Sequence, residues 1–95
     1  MKKEFYVYIL TNQTKSVLYI GMTNDLKRRI WEHKEKNIEG FTRKYNVSNL
    51  VYYEIYPDAK SAIIREKNIK KWNREWKVKL IDEFNAGWED LYRLI

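Results

Sequence analysis

Read from the N-terminus, the chain alternates short apolar runs rich in aromatic and β-branched residues with polar stretches suited to turns. Phe5 to Leu10 (FYVYIL) is such a run and predicts a strand. The polar Thr11 to Ser16 (TNQTKS) predicts a turn, and Val17 to Met22 (VLYIGM) a second strand, so the first two strands form an antiparallel hairpin. From Asn24 to Lys36 the apolar positions Leu26, Ile30 and the ring of His33 return at helical spacing, with Thr23 or Asn24 as the cap. Asn37 to Asn46 (NIEGFTRKYN) breaks this period and predicts a loop that pivots at Gly40. Leu50 to Tyr56 (LVYYEIY) predicts a third strand. Pro57-Asp58 stops it and caps a helix from Ala59 to about Asn73. A further helical stretch from Glu75 to Phe84 either runs on from that helix or restarts after it, and Asn85-Ala86-Gly87 ends it. The tail from Trp88 to Ile95 is expected to pack back through Trp88, Leu91 and Tyr92.

The order β-β-α-β-α-α gives an α+β fold, a three-stranded antiparallel sheet flanked by helices. One side of such a sheet is free to face solvent or a ligand, though it need not. The chain has 95 residues, which suits one domain over residues 1–95 with one core and little stability to spare. At 44% hydrophobic and 34% charged residues, with few Gly or Pro, disordered and low-complexity classes are excluded.

Charge changes the picture more. Lys and Arg outnumber Asp and Glu by 19 to 13, a net charge of +6, which favours polyanionic partners, with nucleic acid ahead of an anionic membrane. A basic surface without a special partner fits the charge equally well. The absence of cysteine excludes disulfides, zinc-thiolate sites and thiol catalysis. The apolar run Phe5 to Leu10 is too short and aromatic for a signal-peptide core, and no apolar run approaches membrane-spanning length, so a cytoplasmic protein is expected.

Candidate chemistry follows from the faces of the elements. Side chains alternate across a strand, so Phe5, Val7 and Ile9 share one side while Tyr6, Tyr8 and Leu10 share the other. With Leu18 and Ile20 on the core side, Tyr19 joins Tyr6 and Tyr8 opposite, either as half-buried sheet residues or as a reactive group. Gly21 then permits close backbone approach at the strand end. Arg29 and His33 stand one helical turn apart and present a guanidinium and an imidazole to one side, a pair suited to phosphate or to an exposed Arg beside a packed His. Glu66 falls in an apolar stripe formed by Ala62, Ile63, Ile69 and Trp72. A carboxylate there needs a partner, and a metal ion and a buried salt bridge with Arg29 are both open. Asp58 reads as a helix cap and Glu54 as a strand-surface charge. Lys67, Lys70, Lys71 and Arg74 line another face of that helix, and Arg43 and Lys44 lie beside Phe41 and Tyr45. Basic residues interleaved with aromatics suit phosphate contact with base stacking, or simply a solvated face.

Together these residues resemble the GIY-YIG endonuclease superfamily. Tyr6-Val7-Tyr8 is similar to its first motif, with Tyr6 where the family usually has Gly, and Tyr19-Ile20-Gly21 matches the second without change. Arg29, His33 one turn later, and Glu66 within Ala62 to Lys67 follow at the family's intervals. The segments GFTRKYN, LVYYE, REKNIKKW and Trp88-Glu89-Asp90-Leu91 resemble its small stand-alone bacterial branch. The resemblance implies a nuclease, endonuclease or exonuclease, that hydrolyses phosphodiester bonds in DNA with one Mg²⁺ or Mn²⁺ ion. It implies that Glu66 holds the metal, Tyr8 and Tyr19 position or deprotonate the attacking water, Arg29 stabilises phosphoryl charge and His33 orients groups or assists proton transfer. Asn85 takes the place of the family's late Asn, although Ala86 follows it where this branch usually has Pro. A single small domain points to single-stranded or branched DNA, in repair, recombination or processing. The alternative is a non-catalytic nucleic-acid-binding module that keeps the fold.

Overall fold

The computed structural model describes residues 3–36 and 40–95. Three strands, β1 (Phe5–Thr11), β2 (Leu18–Thr23) and β3 (Asn49–Tyr56), form one antiparallel sheet in the order β2-β1-β3. The first strand of the chain is therefore central. Helices α1 (Leu26–Lys34) and α2 (Phe41–Lys44) connect β2 to β3, and α3 (Ala59–Lys71), α4 (Arg74–Phe84) and the 3₁₀ turn η1 (Leu91–Leu94) follow. The α+β architecture predicted from the pattern is the one observed.

Hydrophobic alternation places apolar residues on both sides of the sheet, and both are covered. On the first side, Val7, Ile9, Ile20, Val51 and Tyr52 pack with Ala62 and Ile69 of α3 and Ile81 of α4. On the second, Tyr8, Leu10 and Leu50 pack with Leu26 and Ile30 of α1 and with Val47, closed by Leu91, Tyr92 and Ile95. Neither side is left bare, because α1 and the tail cover much of the second side, although Ile55 at the end of β3 stays exposed. The tail packs as expected: Trp88 lies against the first cluster, and Leu91 and Tyr92 against the second. Asp90 anchors this return. It accepts the Leu50 N–H at 3.1 Å and the Tyr92 N–H at 3.2 Å, and pairs with Lys34 of α1.

A bulge in β3 reconciles the two sides. Ile9 pairs with Tyr52 and Leu10 with Leu50, so Val51 is the extra residue. Consecutive Val51 and Tyr52 thus both reach the first core, which strict alternation forbids.

Several boundaries differ from the sequence expectation. The cap of α1 is Asp25, whose carboxylate accepts the Arg28 N–H at 3.2 Å, while Thr23 bonds the backbone of Asp25 instead. The expected loop lies outside the described residues at 37–39 and then turns helical at Phe41–Lys44, with Gly40 at φ 102° before it. Helices α3 and α4 are separate. Trp72 is extended, and the Asn73 side chain caps α4 by accepting the Trp76 N–H at 3.0 Å. Arg74 tethers the start of α4 to the hairpin turn by donating to the carbonyls of Lys15 (2.7 Å) and Ser16 (3.2 Å).

Candidate active site

Tyr8 lies in the central strand, opposite Gly21 of β2. Its ring lies across that glycine so closely that a methyl group at Gly21 would come within 2.9 Å of Cε1 and closer still to Cζ and the hydroxyl. Gly21 has no positive φ; it is glycine because the tyrosine occupies the space a side chain would take. The YIG sequence therefore serves the first tyrosine as much as its own.

The Tyr8 hydroxyl shares a hydrogen bond of 3.2 Å with His33 Nε2, and His33 Nδ1 shares one of 3.1 Å with Thr42 Oγ1. All three residues are buried. Tyr19 stands beside this chain, with ring centroids 6.4 Å from Tyr8 and 5.7 Å from His33. It is half-buried and continues outward to Phe41 (6.3 Å), which packs on Tyr45 at 4.8 Å. Both outer rings are exposed.

The electrostatics follow from burial and two charges. Burial drives the Tyr8 hydroxyl well above the usual tyrosine range; Tyr19 and the Glu66 carboxylate push the same way, and the nearby Arg29 guanidinium opposes them. Burial first, and the Arg29 charge second, bring His33 down to about 4, so its imidazole is neutral near pH 7. Arg29 donates to Glu32 at 3.4 Å, yet its Nε is buried without a hydrogen-bond partner among the described residues. A buried N–H in that condition is a ready donor for an anionic oxygen.

Glu66 occupies the buried line of α3 between Ala62 and Ile69, with its side chain 18% exposed. Ile63, also expected in that stripe, is exposed. The Arg65 guanidinium grips Glu54 through Nε at 3.0 Å and Nη2 at 2.9 Å. Glu54 is thus no surface charge: Tyr56 donates to it at 2.6 Å and Tyr52 also donates to it. The carboxylate of Glu66 pairs with the exposed Lys70 at 3.4 Å, rather than the expected Arg29.

Tyr8, Tyr19, Arg29, His33 and Glu66 are thus connected by contact or by charge, from β1, β2, α1 and α3. Asn85 sits apart, against β3 at the opposite sheet edge. Its amide donates to the carbonyls of Val51 (3.2 Å) and Glu89 (2.8 Å), and its oxygen accepts the Glu89 N–H (3.2 Å). Lys67, Lys70 and Lys71 are exposed on α3, whereas Arg74 lies across the helix break with its guanidinium on the hairpin turn. Arg43 and Lys44 are exposed on α2, with Lys44 Nζ 5.4 Å from the Tyr45 ring. Thr42 escaped the sequence reading, since one threonine in a polar, basic stretch carries no periodic signal.

Among the described residues no three His, Asp or Glu side chains cluster as a metal-ligand set. The donors present fit an ion that takes one carboxylate, Glu66, and draws its other oxygens from water and substrate phosphate, as Mg²⁺ commonly does. No helix among the described residues is long and apolar enough to cross a membrane.

Comparisons with known proteins place the chain among relatives of the same fold. The family described as the GIY-YIG catalytic domain matches residues 4–79, a span that holds all five connected residues and excludes Asn85. A UPF0213 protein of Haloquadratum walsbyi is 36% identical over 87% of this chain and 92% of its own length. One from Clostridium perfringens is 41% identical over 80% of this chain and 81% of its own. The solution NMR structure of a UPF0213 protein from Bacillus halodurans superposes with a TM-score of 0.58 at 30% identity, covering 96% of both chains. The chain belongs to the GIY-YIG catalytic domain family.

Proposed function

We propose that this protein is a divalent-metal-dependent nuclease that hydrolyses phosphodiester bonds in DNA. The observation that carries the reading is the buried Arg29 Nε, without a partner among the described residues, beside the Tyr8–His33 pair and within range of the Glu66 charge. Hydrolysis of a phosphodiester needs a positioned water and donors aimed at the oxygens that gain charge. Arg29 offers such a donor. Burial favours the protonated Tyr8 hydroxyl, which suits it to positioning groups. Tyr19, half-buried between His33 and the exposed Phe41, would help position the attacking water. The neutral His33 accepts hydrogen bonds, and relays a proton without a net change of charge only by taking one at one ring nitrogen as it gives one up at the other. Mg²⁺ or Mn²⁺ held by Glu66 would supply positive charge at the transferring phosphoryl group. Asn85 holds the α4 terminus against β3 and acts on the site only through the fold.

Arg43, Lys44, Lys67, Lys70 and Lys71 form the proposed phosphate-contacting surface, with Arg74 at its edge. Single-stranded or branched DNA is the preferred substrate, since the exposed Phe41 and Tyr45 rings offer stacking to unpaired bases. Repair, recombination or processing of DNA in the cytoplasm, by one domain, is the corresponding role.

The test is cleavage of labelled single-stranded, duplex and forked DNA by wild type and Glu66→Ala, with Mg²⁺, Mn²⁺ or chelator. Metal-dependent cleavage lost in Glu66→Ala is expected. Binding without cleavage in every condition would replace this reading with a non-catalytic module.

A further inference from the structure

We propose that Thr42 is a positioning residue that fixes which nitrogen of His33 carries the proton, and through it the direction in which the Tyr8 hydroxyl points. The proposal deepens the nuclease reading, but its structural part stands without it.

A neutral imidazole bonded at both nitrogens has two arrangements. In the first, Nδ1–H donates to Thr42 Oγ1, and Nε2 accepts the Tyr8 O–H. In the second, the Thr42 O–H donates to Nδ1, and Nε2–H donates to the tyrosine oxygen. Both distances, 3.1 and 3.2 Å, suit either one. The surroundings of Tyr8 separate them. The Arg29 guanidinium, which has donors and no acceptor, lies close enough to the Tyr8 oxygen to favour its ionised form. In the second arrangement that oxygen would meet two donors while its own buried O–H lost the His33 acceptor. In the first, the hydroxyl accepts on the Arg29 side and donates to His33, and the roles of Tyr8, His33 and Thr42 are all met.

Thr42 is therefore the acceptor that holds the Nδ1–H form. It comes from α2, the short turn that also carries Phe41 outward onto Tyr19, and its own backbone carbonyl accepts the Val47 N–H at 2.9 Å. Its side chain is buried, so water does not take its place. Replacing the hydroxyl by a methyl leaves Nδ1–H facing an apolar group. The cheaper state then moves the proton to Nε2, which turns a donor toward Tyr8 and reverses the bond.

His33 is the sole histidine, so a ¹⁵N–¹H correlation spectrum of the labelled full chain reads its tautomer without assignment. Wild type is expected as Nδ1–H, Thr42→Val as Nε2–H or a mixture, and Thr42→Ser as Nδ1–H again. An Nε2–H wild type, or a Thr42→Val protein still wholly Nδ1–H, overturns the proposal. Should Thr42→Val fail to fold, Thr42→Ser decides: a retained Nδ1–H form supports the proposal and its loss overturns it. In cleavage, Thr42→Val should lower kcat roughly 10- to 100-fold at unchanged KM, the scale found for outer hydrogen-bond partners of a functional histidine, and Thr42→Ser should restore it. The spectrum reports on Thr42 even if no DNA is cleaved, so failure of the nuclease reading stays distinguishable from failure of this one.

Discussion

Replacing Gly21 by alanine should destabilise the protein even though alanine usually suits a strand better than glycine. At a strand glycine with ordinary φ, the added methyl restricts the unfolded chain and commonly stabilises by about 0.4–1 kcal/mol. Here the methyl would fall within 2.9 Å of Tyr8 Cε1 and nearer still to Cζ and the hydroxyl. The ring cannot retreat cheaply: Tyr8 is 1% exposed and packed between Leu10, Leu26 and Ile30, with its hydroxyl bonded to His33. Overpacking of a tight core costs about 1–3 kcal/mol, and losing the buried hydrogen bond adds about 1 kcal/mol. The sum is ~2–4 kcal/mol, a fall in Tm of roughly 10–25 °C for a domain of this size. Urea unfolding of wild type, Gly21→Ala, Tyr8→Ala and the double variant measures both the cost and the coupling. With the ring removed, the methyl has room, so the double variant should be no less stable than Tyr8→Ala alone. A Gly21→Ala protein within about 0.5 kcal/mol of wild type, the usual range of an inconsequential substitution, would refute the reasoning.

Other expectations follow from the same geometry. The folded His33 lies at about 4 against 6.5 unfolded, so its neutral form contributes stability that is complete above pH 6.5 and lost as pH falls toward 4. This amounts to about 3 kcal/mol, and a His33→Gln variant should show a flatter stability curve between pH 6.5 and 4.5; an unchanged curve counts against the assignment. Glu54→Gln should lower stability by about 1–3 kcal/mol, because Arg65 loses a bidentate partner, and a urea midpoint equal to wild type would show the fork to be idle. Neutralising Lys67 and Lys71 together should weaken DNA binding about equally across sequences and reduce its salt dependence. A salt slope matching wild type would move the phosphate path off α3.

The strands were legible because each is a run of aromatic and β-branched residues bounded by turn formers, and Tyr19, Gly21, Arg29, His33 and Glu66 because their intervals repeat a known pattern. What escaped depends on non-local contact. The extra residue at Val51 leaves no trace in LVYYEIY, since the bulge is set by pairing with β1. Asn73 is a capping residue by type, but the tryptophans and lysines around it read equally well as one long helix. Glu54 looked like a surface charge because its partners Tyr52, Tyr56 and Arg65 converge only once α3 has docked.

Asp90 ties α1, β3 and the tail together, which has a consequence for how the molecule assembles and opens. The cover of the first sheet side comes from helices that directly follow β3, whereas that of the second is completed by residues from the far end of the chain. Closing so long a loop is entropically costly, so the tail is expected to dock onto a sheet that is already formed. Undocking the tail would uncover the Leu50 amide while α3 stays packed. Hydrogen exchange reads this directly: the Leu50 amide, held by Asp90, should exchange faster than the amides paired between β1 and β2, and equal protection would mean that the two sides of the sheet unfold as one.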